Sequence, residues 1–94
     1  NADFSNADLI RTDFSNANLS SAIFQKTILN FANLCGAILN QINFAEAELK
    51  SVTFSEAIDF SNVNLSGVDM SLALLTRAKF VGVILTNTKF VGAE

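Results

Sequence analysis

From Asn1 to Ser20 the chain reads NADFS NADLI RTDFS NANLS, and each block of five carries one large apolar residue in the same place: Phe4, Leu9, Phe14 and Leu19. The series runs on through Phe24, Leu29, Leu34, Leu39, Phe44, Leu49 and Phe54. It takes one six-residue step and resumes at Phe60, Leu65, Met70, Leu75, Phe80, Leu85 and Phe90, giving 18 units with no polar residue in the series. Two places before each lies a small or β-branched residue, always Ala, Thr, Val or Ile. The place between is often Asp or Asn, and the two places after are mostly polar or small.

A period of five fits neither regular structure. Five residues advance a straight α-helix by 140° net, so the Phe and Leu side chains would wind around it and form no face. In a straight strand, odd spacing sends successive large residues to opposite sides. One continuous core forms only if the chain turns once per unit. The small residue and the large one then share the inner side of a short extended segment, and the polar pair makes the corner. A chain that keeps turning the same way becomes a coil. Stacked coils satisfy backbone groups by pairing with neighbours about 4.8 Å along the axis.

The units Ala2-Asp3-Phe4-Ser5-Asn6, Ala7-Asp8-Leu9, Ala17-Asn18-Leu19-Ser20-Ser21 and Ala32-Asn33-Leu34 resemble those of pentapeptide repeat proteins, with consensus A(D/N)LXX. The resemblance covers nearly the whole chain. It implies an all-β fold, a right-handed quadrilateral parallel β-helix with four units per coil, and so about 4.5 coils in a rod roughly 20–25 Å long. A cyanobacterial source is also suggested, since the family is abundant there. The family carries no catalytic residues to transfer. With 20 residues per coil, one inward ladder is Phe4, Phe24, Phe44, Leu65 and Leu85, and another is Leu19, Leu39, Phe60 and Phe80.

The six-residue step, Ser55-Glu56-Ala57-Ile58-Asp59-Phe60, has a clear cause. Strict fives would bury the Asp59 carboxylate without compensation. The expectation is a bulge near Glu56 and Ala57, with Ile58 in the inward small-residue slot. Residues 1–94 are read as one repeat domain with this single slip at 55–60.

The composition excludes much. Half of the 94 residues are apolar and 16% are charged, unlike a disordered chain. A net charge of −3 supplies no basic stripe for nucleic acid. There is no His, and a single Cys precludes an internal disulfide framework. No apolar run approaches membrane-spanning length. The chain begins with Asn in mid-pattern, so it is read as a processed product or a piece of a longer protein, and its compartment stays open. Neither end carries a capping helix, which points to a fragment or to end-to-end association.

Candidate chemistry is sparse. Asp3, Asp8 and Asp13 fall on successive walls and cannot share a substrate. Glu48 and Asp69 share a column that begins at Asp8 and ends at Lys89, where two carboxylates raise each other's pKa or hold a cation. One flat wall supplies too few ligands for a metal cage, so no metal and no cofactor is expected. Lys26 and Glu46 stack as a surface ion pair. Cys35 sits outward with no base near it and reads as inert.

The outward slots hold Ile10, Ile23, Ile28, Phe31, Ile38, Leu72, Leu74, Val81, Ile84 and Val91. Phe31 is the one Phe outside the inward series, in a corner column with Ser51 and Leu72. Leu74, Ile28 and Ile10 flank that edge, which makes it the candidate partner surface. The leading functional reading is a non-catalytic scaffold that binds protein along its surface or self-associates laterally or end to end. The alternatives are a DNA-mimicking inhibitor or protector of DNA gyrase, which the mixed charge disfavours, and a repeat segment of a larger protein. An enzyme has no nucleophile, base or phosphate loop to build on.

Overall fold

The computed structural model describes residues 2–55 and 57–94. Its regular structure is parallel β. Strand β1 (Asn33–Leu34) pairs with β2 (Thr53–Phe54), Asn33 opposite Thr53 and Leu34 opposite Phe54. Single parallel bridges extend the ladders on every wall, as in Asp3 with Ile23 and then Asn43, or Asn18 with Ile38. Away from the six-residue step partners are 20 residues apart, so a coil takes four units and the chain turns a corner every five residues.

Each corner outside the six-residue step is made the same way. The amide of the small residue donates to the carbonyl of the large residue three places earlier, as Ala7 N–H does to Phe4 O at 3.0 Å and Ala47 N–H to Phe44 O at 2.9 Å. The residue before the donor has φ near +60°, from Asn6 at 63° to Asn87 at 58°. An i to i+3 bond with positive φ only at the third position is a type II turn. That position favours Gly, and all four glycines (Gly36, Gly67, Gly82 and Gly92) occupy it. Elsewhere it is filled by residues as unsuited as Phe31 (φ 64°) and Leu72 (φ 62°). Ladder bonds between coils hold them in the left-handed region against its steric cost.

The Asp or Asn of the repeat has a local role. Its side chain accepts the amide two places on, before the turn: Asp3 Oδ1 from Ser5 N–H at 2.9 Å, Asn33 Oδ1 from Cys35 N–H at 2.9 Å, Asp59 Oδ1 from Ser61 N–H at 2.8 Å. These Asx bonds occupy amides that the coil geometry leaves unpaired.

The interior is a set of stacked columns. Phe4 lies on Phe24 with ring centroids 4.8 Å apart, Phe24 on Phe44 at 5.4 Å, and Phe60 on Phe80 at 5.3 Å. Across a coil, Phe4 meets Phe14 edge to face at 5.8 Å. Phe24, Phe44, Phe60 and Leu65 are fully buried. Phe4 is half-buried in the first coil, and Leu85 in the last is 43% exposed although its slot faces inward, because no coil lies against that side. Among the described residues one polar side chain is fully buried, Thr27, whose hydroxyl donates to Phe4 O at 2.8 Å.

The slip is plain in the register. Asn43 pairs with Asn64, Glu48 with Asp69 and Thr53 with Leu74, each 21 apart, whereas Asp59 pairs with Lys79 at 20. The extra residue therefore enters between Thr53 and Asp59. The turn there is closed by Ile58 N–H to Ser55 O at 3.2 Å, one residue later than in a regular unit. Ala57 takes the left-handed position (φ 60°), and Ile58 is buried in the small-residue slot. Glu56 lies outside the described residues. Ser55 also repairs the ladder: its hydroxyl accepts Gly36 N–H at 3.2 Å, where regular corners use a backbone carbonyl. Asp59 is exposed, as the slip requires.

Candidate partner-binding edge

The residue in the left-handed corner position points its side chain away from the coil, so each corner column is a row of outward side chains one sheet spacing apart. Arg11, Phe31, Ser51, Leu72 and Gly92 form one such row. Their amides step up the stack: Arg11 N–H to Asn30 O at 3.0 Å, Phe31 N–H to Lys50 O at 2.9 Å, Ser51 N–H to Ser71 O at 2.9 Å and Leu72 N–H to Val91 O at 2.9 Å.

Phe31 is 53% exposed and Leu72 is 62% exposed. The Arg11 guanidinium lies 4.8 Å from the centre of the Phe31 ring, a cation–π contact that fixes one face of the ring. Leu72 leans toward Gly92: a Cβ on Gly92 would stand 2.7 Å from Leu72 Cδ2, so the missing side chain makes room for Leu72. Ser51 lies between Phe31 and Leu72, which places the two apolar residues about 10 Å apart along the axis. Ile10 precedes Arg11 at the same corner and is exposed, and Leu74 is exposed on the following wall. Ile28, on the preceding wall, is half-buried rather than exposed. It lies between Asp8 and Glu48 in its ladder.

Beneath the apolar tips the corner is polar and cross-linked. Asn30 Oδ1 accepts Lys50 N–H at 3.1 Å, and Asn30 Nδ2 donates to Glu48 Oε1 at 3.2 Å. Lys50 Nζ approaches the same Glu48 oxygen at 3.6 Å. Among the described residues this is where an ion pair forms, and Lys26 with Glu46 does not form one. Both of those occupy left-handed corner positions, where side chains project away from the coil.

The carboxylate column is Asp8, Ile28, Glu48, Asp69, Lys89, in that order. Stacking does not raise Asp69. The Ser71 side chain, donating to its Oδ1 at 2.6 Å, holds it below the usual carboxylate value against the opposing effect of burial, with Ser71 N–H, Lys50 and Lys89 adding to the lowering. Asp3, Asp13 and Asp59 are lowered first by Ser5, Ser15 and Ser61 in the same way. Each of these carboxylates is a turn acceptor rather than an acid. No group of three or more His, Cys, Asp or Glu suited to a metal forms among the described residues. Cys35 is half-buried, with its amide on Asn33.

One surface was not singled out in the sequence. On the diagonally opposite corner, Ser20, Ser21, Asn40, Gln41, Ser61 and Asn62 line a shallow polar hollow of about 380 Å³. Its signal in the sequence is three stacked polar pairs, 20 and 21 residues apart.

The comparisons with known proteins agree with this architecture. A family model described as pentapeptide repeats (8 copies) matches residues 1–30, 27–58 and 56–92. Among solved structures, the chain is similar to Rfr23, a pentapeptide repeat protein of the cyanobacterium Cyanothece 51142. Identity is 32% and the TM-score 0.57, over 99% of this chain and 56% of that one. It is also similar to trypsin-treated QnrB1 M102R, a plasmid-mediated fluoroquinolone resistance protein. Here identity is 20% and the TM-score 0.56, over 97% of this chain and 59% of that one, which bears on the fold alone. The chain thus spans little more than half the length of either. No curated protein sequence matches it significantly. A five-residue turn repeated through parallel coils, matched nearly end to end by the family model, is a right-handed quadrilateral β-helix, and the chain belongs to the pentapeptide repeat family.

Proposed function

We propose that the chain is a non-catalytic scaffold that binds a protein partner along the corner carrying Phe31 and Leu72. The observation that supports this most is a large aromatic and a large aliphatic side chain held outward in a backbone conformation that disfavours both. Folding gains little from them there, since Gly suits the position better. The corner is also rigid, with the Phe31 ring fixed by Arg11 and the backbone tied coil to coil. Rigid aromatic anchors above a polar rim are what protein interfaces use. Such a module serves equally as one segment of a longer protein.

A DNA-mimicking action on gyrase has weaker support. Nine acids face six bases, and Arg77, Lys79 and Lys89 gather in the last coil, opposite in sign to a phosphate backbone. Gyrase supercoiling is expected to be unaffected by the chain. The scaffold reading is tested with a photo-crosslinking residue at Ser51, between the two anchors, and a control at Gln41 on the polar corner. One partner protein captured from Ser51 and lost in Phe31→Ser/Leu72→Ser is the expected result. Equal capture from both corners, unchanged by that double substitution, contradicts it.

A further inference from the structure

We propose that the polar corner diagonally opposite Phe31 is a carbohydrate site, which takes a short, extended stretch of a neutral β-linked glucan laid along the rod axis. It shares no residue with the Phe31 edge, so the two proposals stand or fall separately.

The six-residue step prepares the site. A regular corner ties its left-handed residue to the next coil through the amide, as Ser21 N–H does to Asn40 O at 2.8 Å and Asn62 N–H to Val81 O at 3.2 Å. Gln41 stands between these two in the same row, and among the described residues its amide makes no such bond. The wall leading into this corner is open at the same level. Asn18 pairs with Ile38 and Asp59 with Lys79, but Ile38 and Asp59 form no bridge. The amides of Leu39 and Asp59 and the carbonyls of Ala37 and Ser61 carry no ladder bond either. The extra residue between Thr53 and Asp59 therefore continues into the next corner as a gap in the ladder, with backbone donors and acceptors left unpaired along it. The neighbouring wall runs on past the gap on both sides, Asp3 below Ile23 and Ile84 above Asn64, so the gap belongs to the flank of the rod.

The hollow of about 380 Å³ lies along this gap. Its serines are half-buried and its Asn40, Gln41 and Asn62 are exposed, so hydroxyls floor it and primary amides rim it. Among the described residues none of the three side-chain amides has a partner in the chain. The asparagines on the walls are committed by contrast: Asn18, Asn43 and Asn64 each accept the amide two places on, at 3.1, 2.9 and 3.0 Å. Asn62 leans toward Gly82, where a Cβ would stand 2.7 Å from its Oδ1, so the missing side chain leaves that amide room.

Charge and spacing select the ligand. Each of the other three corners carries charge: Lys26 and Glu46 on one, Arg11 and Lys50 on the next, Arg77 on the third. Among the described residues this corner carries none, so a phosphate or a charged peptide finds no counter-charge on it. Amides and hydroxyls both donate and accept, which matches the adjacent hydroxyls of a neutral sugar. Ile23 and Ile38, exposed on the two flanking walls, offer apolar contact to the C–H faces of a sugar ring. The polar rows repeat at one sheet spacing, about 4.8 Å. Glucose units in an extended β-linked chain advance by close to that distance, so successive rings meet successive rows. An extended peptide advances about 3.4 Å per residue and falls out of step. The hollow is shallow and small for a ligand site, so the affinity is weak, with Kd about 1 mM.

An NMR titration read on the side-chain NH2 signals tests this, with cellotetraose as the probe. Maltotetraose, the same sugar in a curved α-linked chain, is the comparison. Cellotetraose at up to about 10 mM should shift the NH2 signals of Asn40, Gln41 and Asn62 and the backbone amide of Gln41 in a saturable way. Maltotetraose should bind at least about fivefold more weakly. Gln41→Gly/Asn62→Gly suits the left-handed backbone at both positions (φ 56° and 63°), so the variant stays folded, and it should weaken binding at least about tenfold. Phe31→Ser/Leu72→Ser should leave binding unchanged. The absence of any saturable shift with cellotetraose overturns the proposal. So do shifts that persist in a folded glycine variant, equal affinity for maltotetraose, or loss of binding when Phe31 and Leu72 are replaced.

Discussion

The second and third coils and the two outermost coils are built from the same five-residue code, yet they differ in what the code secures. Phe24 and Phe44 are fully buried, while Phe4, Phe80 and Phe90 in identical slots are only half-buried. The turns do not differ: Ala7 closes on Phe4 at 3.0 Å and Ala93 on Phe90 at 3.0 Å, as Ala47 does on Phe44 at 2.9 Å. The local repeat therefore makes the corner unaided, and burial comes from a coil on each side. This is the nearest-neighbour energetics of a solenoid, read within one short chain.

The largest test of that contrast is a pair of truncations. Phe44→Ala should cost about 3–5 kcal/mol in a denaturant titration, as for fully buried aromatics. Phe90→Ala should cost about 1–2 kcal/mol, since much of its surface is already in water. Equal costs would break the comparison. The threonines sharpen it next. Thr27→Val should lose about 1 kcal/mol with its buried hydrogen bond. Thr12→Val, whose hydroxyl has no partner among the described residues, should stay within about 0.5 kcal/mol of wild type. At the corners, Leu72→Gly should raise stability by about 0.5 kcal/mol, because relief of the left-handed conformation outweighs the added freedom of the unfolded chain.

The smallest effect is the pH dependence, and here the two regions should agree. Asp3 and Asp13 in the first coil and Asp59 and Asp69 deeper in the rod are all lowered first by the serine two places on. A carboxyl lowered in the folded state contributes stability above its ordinary pKa of about 3.9, and that stability is lost as the pH falls through the folded value. Thermal midpoints should therefore decline modestly below about pH 4. Replacing Asp3/Asp13 by Asn should remove as much of that decline as replacing Asp59/Asp69.

The inward ladders, the slip before Asp59 and the outward place of Phe31 were legible in the sequence, because each follows from counting residues at a fixed period. The left-handed corner was not read as such, although all four glycines mark it, since fourteen other residues share the position and obscure its preference. The Asx bonds that explain the Asp/Asn slot needed the turn geometry first. The ion pair was misplaced from Lys50–Glu48 to Lys26–Glu46, because column membership fixes where a Cα lies and not where a long side chain reaches. Ile28 is half-buried rather than exposed, and the wall slot alone does not decide this, since Ile23, flanked by Asp3 and Asn43 in the same kind of slot, stays exposed.

Amide hydrogen exchange, residue by residue at low protein concentration, tests the account most directly. The amides of Leu29, Phe44 and Leu49, which donate into the third and fourth coils, should open only with the whole molecule. Those of Phe4, Leu9 and Phe14, bonded equally well but in the outermost coil, should exchange much faster through local fraying. Uniform protection from Phe4 to Leu49 would contradict the claim that position in the stack, rather than the repeat itself, sets the stability of each coil.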